Sequence, residues 1–323
     1  MNILVVRNDK LGDFITALPA LYVLKQHDPQ NKIIVCVAPL NKSLAQSIPF
    51  IDKVIVDDVD SSFALAKKLK EEKVDASITL FSNTKVAIAQ FLAGIKIRIA
   101  PATKIAQIFY NRRVKQRRSQ VRMAEFEYNL ELTKALFEDI ELSFPKPLIE
   151  IEATEKKRIY DAFCDTYHID KTKKLIAFHP GFGGSSDANW TIQEYIELAR
   201  QLRDKEEYQL VFTFGPGEDD LYESVKEASL PKVVLYKSAG SIMDFAKLIS
   251  SFELFISTST GTYHLAAMVG TPTMTFFADT LFASSRRWKS ISDERIQNNK
   301  MIPLEVNRRQ EFFETIKKEI AAL

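Results

Sequence analysis

The strongest constraint on the fold is a recurring pattern: a short, unbroken run of β-forming residues, a polar loop, then apolar residues at helical spacing. Residues 2–24 show it first. The run at 3–6 (ILVV) is followed by a polar loop, 7–13, that contains Gly12, and then by Phe14, Ala17, Leu18, Leu21 and Leu24. An apolar run without alternation belongs to a strand buried on both faces, as in a parallel sheet covered by helices. Strand, loop and helix together form the first half of a βαβ unit. The loop then lies at the carboxyl end of its strand, where open α/β sheets bind ligands.

The pattern repeats. Residues 32–38, 53–56, 76–80 and 95–99 read as strands, with helices over 63–72, 84–92 and 124–137. Residues 142–147 (LSFPKP) hold two prolines and read as a linker. After a helix over 154–167 the pattern starts afresh: strand 175–179, glycine-rich loop 180–186, helix 192–202. Strands at 208–214, 233–236, 254–257 and 273–277 alternate with helices at 219–228, 242–250 and 263–269. A last helix over 310–321 has no strand after it. The expectation is two sequential α/β domains, each a mostly parallel, doubly wound sheet, with the boundary between 145 and 172.

Composition excludes several classes. A net charge of +2 argues against a protein dedicated to nucleic acid. Cys36 and Cys164 stand far apart in no metal-like spacing, so two ordinary thiols in a reduced, cytosolic setting are expected. Arg7, Asp9, Lys10 and Asp13 interrupt the first apolar run too early for a signal peptide, and no stretch is long and apolar enough to span a bilayer. His27, His168, His179 and His264 form no H-x-x-x-H pair, and no G-x-S-x-G elbow, P-loop or G-x-G-x-x-G fingerprint occurs. Asp58-Val-Asp60 looks like a metal-binding D-x-D but sits in an acidic turn, where a solvated role is the simpler reading.

Three loops leave the ends of buried strands. Residues 257–264 offer Ser259, Thr260, Gly261 and Thr262 ahead of a helix, either a phosphate site built from backbone N–H groups or ordinary N-capping by a hydroxyl. In His179-Pro-Gly181-Phe-Gly183-Gly184 the glycines allow either close approach of a ligand or a tight turn. The first loop supplies Asp9 and Asp13 beside Arg7 and Lys10. Asp13 could be a general base toward a bound hydroxyl, or could complement the dipole of the helix it begins.

Taken together, the loops resemble the ADP-heptose:lipopolysaccharide heptosyltransferases of glycosyltransferase family 9. Arg7-Asn-Asp-Lys-Leu-Gly-Asp13 with Leu18-Pro19-Ala20-Leu21 is similar to that family's opening R-x-D-x-L-G-D and downstream proline. His179-Pro-Gly, then Trp190 before a helix, resembles its second-domain opening; Ser259-Thr-Gly-Thr-Tyr-His264-Leu-Ala-Ala, ending in Gly270-Thr-Pro272, resembles its D/S-T-G-x-x-H-x-A-A…G-x-P signature.

The resemblance implies a GT-B fold, two Rossmann-like domains facing across a cleft. Residues 1–150 would bind the acceptor and 151–305 the nucleotide-sugar, while helix 306–323 would cross back onto the first domain. It implies an inverting transferase, metal-independent and without a resident cofactor, that uses a nucleotide-sugar such as ADP-heptose. Asp13 matches the base; Thr260, Gly261 and Thr262 match the site of the leaving diphosphate. Gly181, Gly183, Glu218, Ser259 and His264 would complete the donor site, and Arg7, Lys10, Arg112 and Arg113 would meet the acceptor. A GT-B-shaped sugar-nucleotide epimerase and a non-catalytic sugar-nucleotide-binding relative are the alternatives.

Two positions depart from the family pattern. Ala188 stands where a donor-binding lysine is usual, and Ser259 where an aspartate is common. Arg286, Arg287 and Lys289 are the candidates to replace the missing cation. Between 96 and 122 the chain carries nine lysines and arginines with no acidic residue, interleaved with Ile105, Ile108, Phe109 and Tyr110. Such a stretch suits an anionic lipid-linked core oligosaccharide, and a peripheral contact with the cytoplasmic face of the inner membrane.

Overall fold

A computed structural model of the chain describes residues 1–103, 105–182 and 189–323. It divides into two compact units, 1–145 and 146–323. The first contains β1 (Asn2–Arg7), α1 (Leu11–His27), β2 (Lys32–Val37), α2 (Lys42–Ser47), β3 (Lys53–Val56), α3 (Ser62–Glu71), β4 (Ala76–Thr79), α4 (Thr84–Leu92), β5 (Ile97–Pro101), β6 (Arg112–Val114) and α5 (Glu125–Lys134). The second contains α6 (Ala153–Tyr167), β7 (Lys174–His179), α7 (Ile192–Arg200), β8 (Tyr208–Phe214), α8 (Asp219–Glu227), β9 (Val233–Lys237), α9 (Ile242–Ile249), β10 (Leu254–Thr258), α10 (Gly261–Met268), β11 (Thr273–Ala278), α11 (Ser285–Trp288), β12 (Gln297–Ile302) and α12 (Val306–Ala321).

Each unit holds one six-stranded sheet, ordered β3-β2-β1-β4-β5-β6 and β12-β11-β10-β7-β8-β9. All pairings are parallel, as the unbroken apolar runs require. In each sheet the first strand of the unit sits centrally, with the next strand on one side and the fourth on the other. The crossovers therefore diverge between β1 and β4, and between β7 and β10, opening a crevice at the carboxyl ends of those strands.

Two strands escape the sequence reading. β6 (RRV) and β12 (QNNKMI) are edge strands with one neighbour each, exposed enough to carry polar residues, so neither shows an apolar run. β12 also extends the second sheet one strand beyond β11, the strand expected to close it.

The last helix packs on the sheet of the second unit. Ile316 and Ile320 of α12 are fully buried in the core of the second unit, with Phe212, Phe214 and Phe276. Phe312 and Phe313 lie 6.3 and 5.1 Å from the Trp190 ring. Arg309 and Lys317 pair with Glu194 and Glu197 of α7. Residues 306–323 thus belong to the second unit and help to cover its sheet.

Candidate functional site

The crevice of the first unit is lined by the loop after β1. Its centre is Arg7, the last residue of the strand, 2% exposed. The guanidinium meets three carboxylates: Nε donates to Asp9 at 2.9 Å, Nη1 to Glu125 at 3.2 Å, and Nη2 to Asp13. Glu125 opens α5, and its Oε1 also accepts a 2.7 Å bond from Arg118. Asn129 of α5 donates to the backbone oxygen of Thr16, and the Thr16 hydroxyl donates to that of Asp13. So α5 and α1 are laced together around the loop. Burial alone would lower the Arg7 pKa, but Asp9, Asp13 and Glu125 together raise it above its ordinary value, and the side chain is a fixed cation.

Arg7 is buried, and one donor on each of its three nitrogens meets a protein carboxylate, an arrangement that holds Asp13 and Asp9 in place. Asp13 retains partial exposure, 18% of its side chain. Asp9, also part-exposed, has its pKa raised to about 6, first by burial, with Arg7 opposing and the neighbouring Asp13 charge adding to the shift. Lys10 is exposed at the start of α1, and Arg112 and Arg113 are exposed on β6, where Arg112 donates to the carbonyl of Ala135. Glu125 and Arg118 were not singled out from the sequence. The available signal is that Glu125 is the first acidic residue after Asp75.

Asp58 of the Asp58-Val-Asp60 turn is engaged elsewhere. Asp58 pairs with Lys68, and its neighbour Asp57 pairs with Lys85 at 2.6 Å and accepts from Asn8 at 2.6 Å.

In the second unit, three loops meet the carboxyl edge of the sheet near its crevice. Thr260 is the N-cap of α10 but makes no capping hydrogen bond; its hydroxyl lies 2.8 Å from that of Thr262. Simple N-capping is therefore not its role. The first-turn N–H groups of Gly261 and Thr262 are left at a helix N-terminus without a side-chain cap, an arrangement suited to an anion. Ser259 precedes them, its N–H bonded to Phe276 at 2.9 Å.

After β8, Gly217 turns with φ +82°, a conformation that favours glycine, and delivers Glu218. Glu218 Oε2 accepts from the Gly215 N–H at 2.7 Å. Its carboxylate also lies against Gly181: a Cβ built there would stand 1.9 Å from Oε1. Gly181 is thus needed for close approach of a protein carboxylate, and the structure brings these two expected donor residues together. Gly183, with Gly184 and Ala188, lies outside the described residues.

Two histidines close the edge. His179 Nδ1 lies 3.0 Å from the Thr213 hydroxyl, and burial lowers its pKa. His264, in the first turn of α10, is buried, its Nδ1 has no hydrogen-bond partner among the described residues, and burial pushes its pKa down to about 3. It is a neutral imidazole across the physiological range. Of the cations after β11, Lys289 pairs with Glu294 at 3.0 Å, Arg287 lies over the Trp288 ring at 4.9 Å, and Arg286 is exposed.

The two units are doubly wound parallel sheets, one with a carboxylate loop after its first strand and the other with a helix N-terminus lacking a side-chain cap after its fourth. The model of glycosyltransferase family 9 (heptosyltransferase) matches residues 62–314, and the chain belongs to that family. It is therefore a glycosyltransferase. A presumed glycosyltransferase of Haemophilus influenzae is 36% identical over 90% of this chain and 86% of its own length. Lipooligosaccharide heptosyltransferase 2 of Campylobacter jejuni is 24% identical over 92% of this chain and 85% of its own. Among solved structures, Escherichia coli ADP-heptose lps heptosyltransferase II superposes with a TM-score of 0.77 at 19% identity, covering 99% of both chains, so the fold is the GT-B fold of that enzyme. A UDP-GlcNAc 2-epimerase of Neisseria meningitidis shares the architecture at a TM-score of 0.52, with 99% of this chain and 93% of that one covered.

Proposed function

We propose that the chain transfers a sugar, most naturally heptose from ADP-heptose, to a hydroxyl of a lipopolysaccharide or lipooligosaccharide inner-core acceptor, with inversion and without a metal. The observation that carries the reading is the Asp13 carboxylate, held by buried Arg7 at the carboxyl end of β1 yet still partly exposed. A base must be fixed in direction and reachable by the hydroxyl it deprotonates.

In this mechanism Asp13 takes the acceptor proton as that oxygen attacks the anomeric carbon opposite the departing nucleoside diphosphate. Negative charge grows on the diphosphate, and the N–H groups of Gly261 and Thr262 with the Thr260 and Thr262 hydroxyls stabilise it. Glu218 accepts from a ribose hydroxyl, Ser259 and His264 complete the donor site, and Arg286 is the exposed cation assigned to the diphosphate in place of the lysine missing at Ala188. Lys10, Arg112 and Arg113 attract the anionic acceptor. Metal independence is supported by the engagement of Asp57 and Asp58 with lysines. The work would be done at the cytoplasmic face of the inner membrane, where such an acceptor is presented. Among the described residues no helix is long and apolar enough to cross a membrane.

The test is ADP release from ADP-heptose with and without a heptose-deficient core acceptor. Wild type should need the acceptor, and Asp13→Asn should keep donor affinity while losing about 100-fold or more in rate. Donor turnover without acceptor identifies the epimerase alternative. Binding without turnover on any acceptor identifies the non-catalytic one, and an unchanged Asp13→Asn rate removes the base.

A further inference from the structure

The first unit carries a surface that is at once apolar and strongly cationic. From residue 76 to residue 124 the sequence has ten lysines and arginines and no aspartate or glutamate. The middle of this segment folds into one patch. A 3-10 turn, Ile105–Phe109, is anchored through Ala106, which packs with Tyr110, Ala87 and Ala100, while the Phe109 ring lies 5.8 Å from Phe91 at the end of α4. The residues between the anchors face water: Ile105 is 85% exposed, Ile108 67% and Phe91 53%, with Leu92 exposed beside them.

Cations rim this apolar cluster. Arg98 lies over the Phe91 ring at 5.4 Å and donates to the Phe109 carbonyl at 2.7 Å. The Asn111 side chain accepts from the Arg98 N–H at 2.8 Å and donates to the Lys96 carbonyl at 2.6 Å, which draws the start of β5 and the start of β6 to the same edge. Lys96, Arg112 and Arg113 are exposed there.

Single exposed apolar residues are ordinary, but a cluster at a turn tip, rimmed by one sign of charge, calls for a partner with an apolar layer beneath an anionic one. A bilayer containing acidic phospholipid has that structure: isoleucine and phenylalanine enter the acyl boundary while lysine and arginine remain among the phosphates. We propose that the 105–109 turn and the end of α4 form a wedge that docks the protein, peripherally and reversibly, on an anionic lipid bilayer. In purpose, though not in chemistry, this rests on the transferase reading: a lipid-linked acceptor would be met at the same surface.

Cosedimentation of the full chain with vesicles tests it. Vesicles of phosphatidylcholine with phosphatidylglycerol should bind the protein at low salt and release it at high salt; phosphatidylcholine alone should not bind. Ile105→Ser with Ile108→Ser leaves the Ala106 and Tyr110 anchors in place and should weaken partition about tenfold at unchanged melting temperature. Lys96→Glu with Arg113→Glu should weaken it as much and remove the salt sensitivity. Equal binding to both vesicle types, or isoleucine variants that bind like wild type, overturns the wedge. The isoleucine variants should turn over a delipidated, water-soluble acceptor at the wild-type rate; if they are slowed there, the turn serves the acceptor sugars and not the bilayer. Vesicle binding in a protein inactive on every acceptor leaves the wedge standing and overturns the transferase reading instead.

Discussion

Replacing Arg7 by methionine tests the arrangement around Asp13 most directly. Methionine fills much of the volume but removes the charge shared by Asp9, Asp13 and Glu125; Glu125 keeps a second partner, Arg118 at 2.7 Å. Breaking a buried ion pair on one side costs about 3–5 kcal/mol, because the remaining charge stays buried. The loss should depend on pH. Asp9 has a folded-state pKa raised from 3.8 to about 6. The folded protein therefore binds more protons than the unfolded chain between those values. The stability this contributes is full below pH 4 and lost as pH rises through 6, about 3 kcal/mol in all. Without Arg7 the pKa of Asp9 climbs further, so the deficit of Arg7→Met against wild type should be near the full range at pH 8 and half that or less at pH 5.

Urea unfolding at the two pH values gives the number, and the chain provides a way to follow the right unit. Both tryptophans, Trp190 and Trp288, lie in the second unit, so fluorescence follows that unit and circular dichroism follows both. The first-unit transition is the dichroic change that fluorescence does not track. A deficit equal at both pH values, or below about 1 kcal/mol, refutes the shared-cation account.

Two other substitutions probe the second unit. Gly181→Ala should push the Glu218 carboxylate aside, lowering nucleotide-sugar affinity by about tenfold with little change in melting temperature; calorimetry should find the double variant with Glu218→Ala no weaker than Glu218→Ala alone. Ile316→Ala removes a fully buried side chain of α12 and should cost the fluorescence-detected transition about 2–5 kcal/mol, whereas a helix resting elsewhere would cost it nothing.

What was legible in the sequence follows burial. Central strands such as β1, β4, β7 and β10 are covered on both faces, and their unbroken apolar runs place them to within a residue or two. The edge strands β6 and β12 are paired along one side only, so nothing forces their side chains to be apolar. The loops after β1, β8 and β10 were readable because glycine and short polar residues interrupt an apolar pattern there. The role of Arg7 was not: a cation beside aspartates in sequence is usually a solvated loop, and its meaning depends on Glu125, which tertiary structure brings in from 118 positions away. The helix at the end was legible as a helix, but its destination was not, since periodicity shows that a face is apolar and not which surface will cover it.

The place of α12 also sets an order of events during synthesis. The first unit is a continuous segment of chain, and nothing after residue 145 is needed to complete its sheet and helices. It can close while the ribosome is still at work on the remainder. The second cannot. Until Ile316 and Ile320 have emerged, the sheet face formed by Phe212, Phe214 and Phe276 is covered by α7 and α8 but lacks its last helix, and the nascent chain carries that gap in its apolar layer until the end of translation. Chaperone binding to stalled chains of increasing length should therefore rise as the second sheet emerges and fall once residue 320 clears the tunnel.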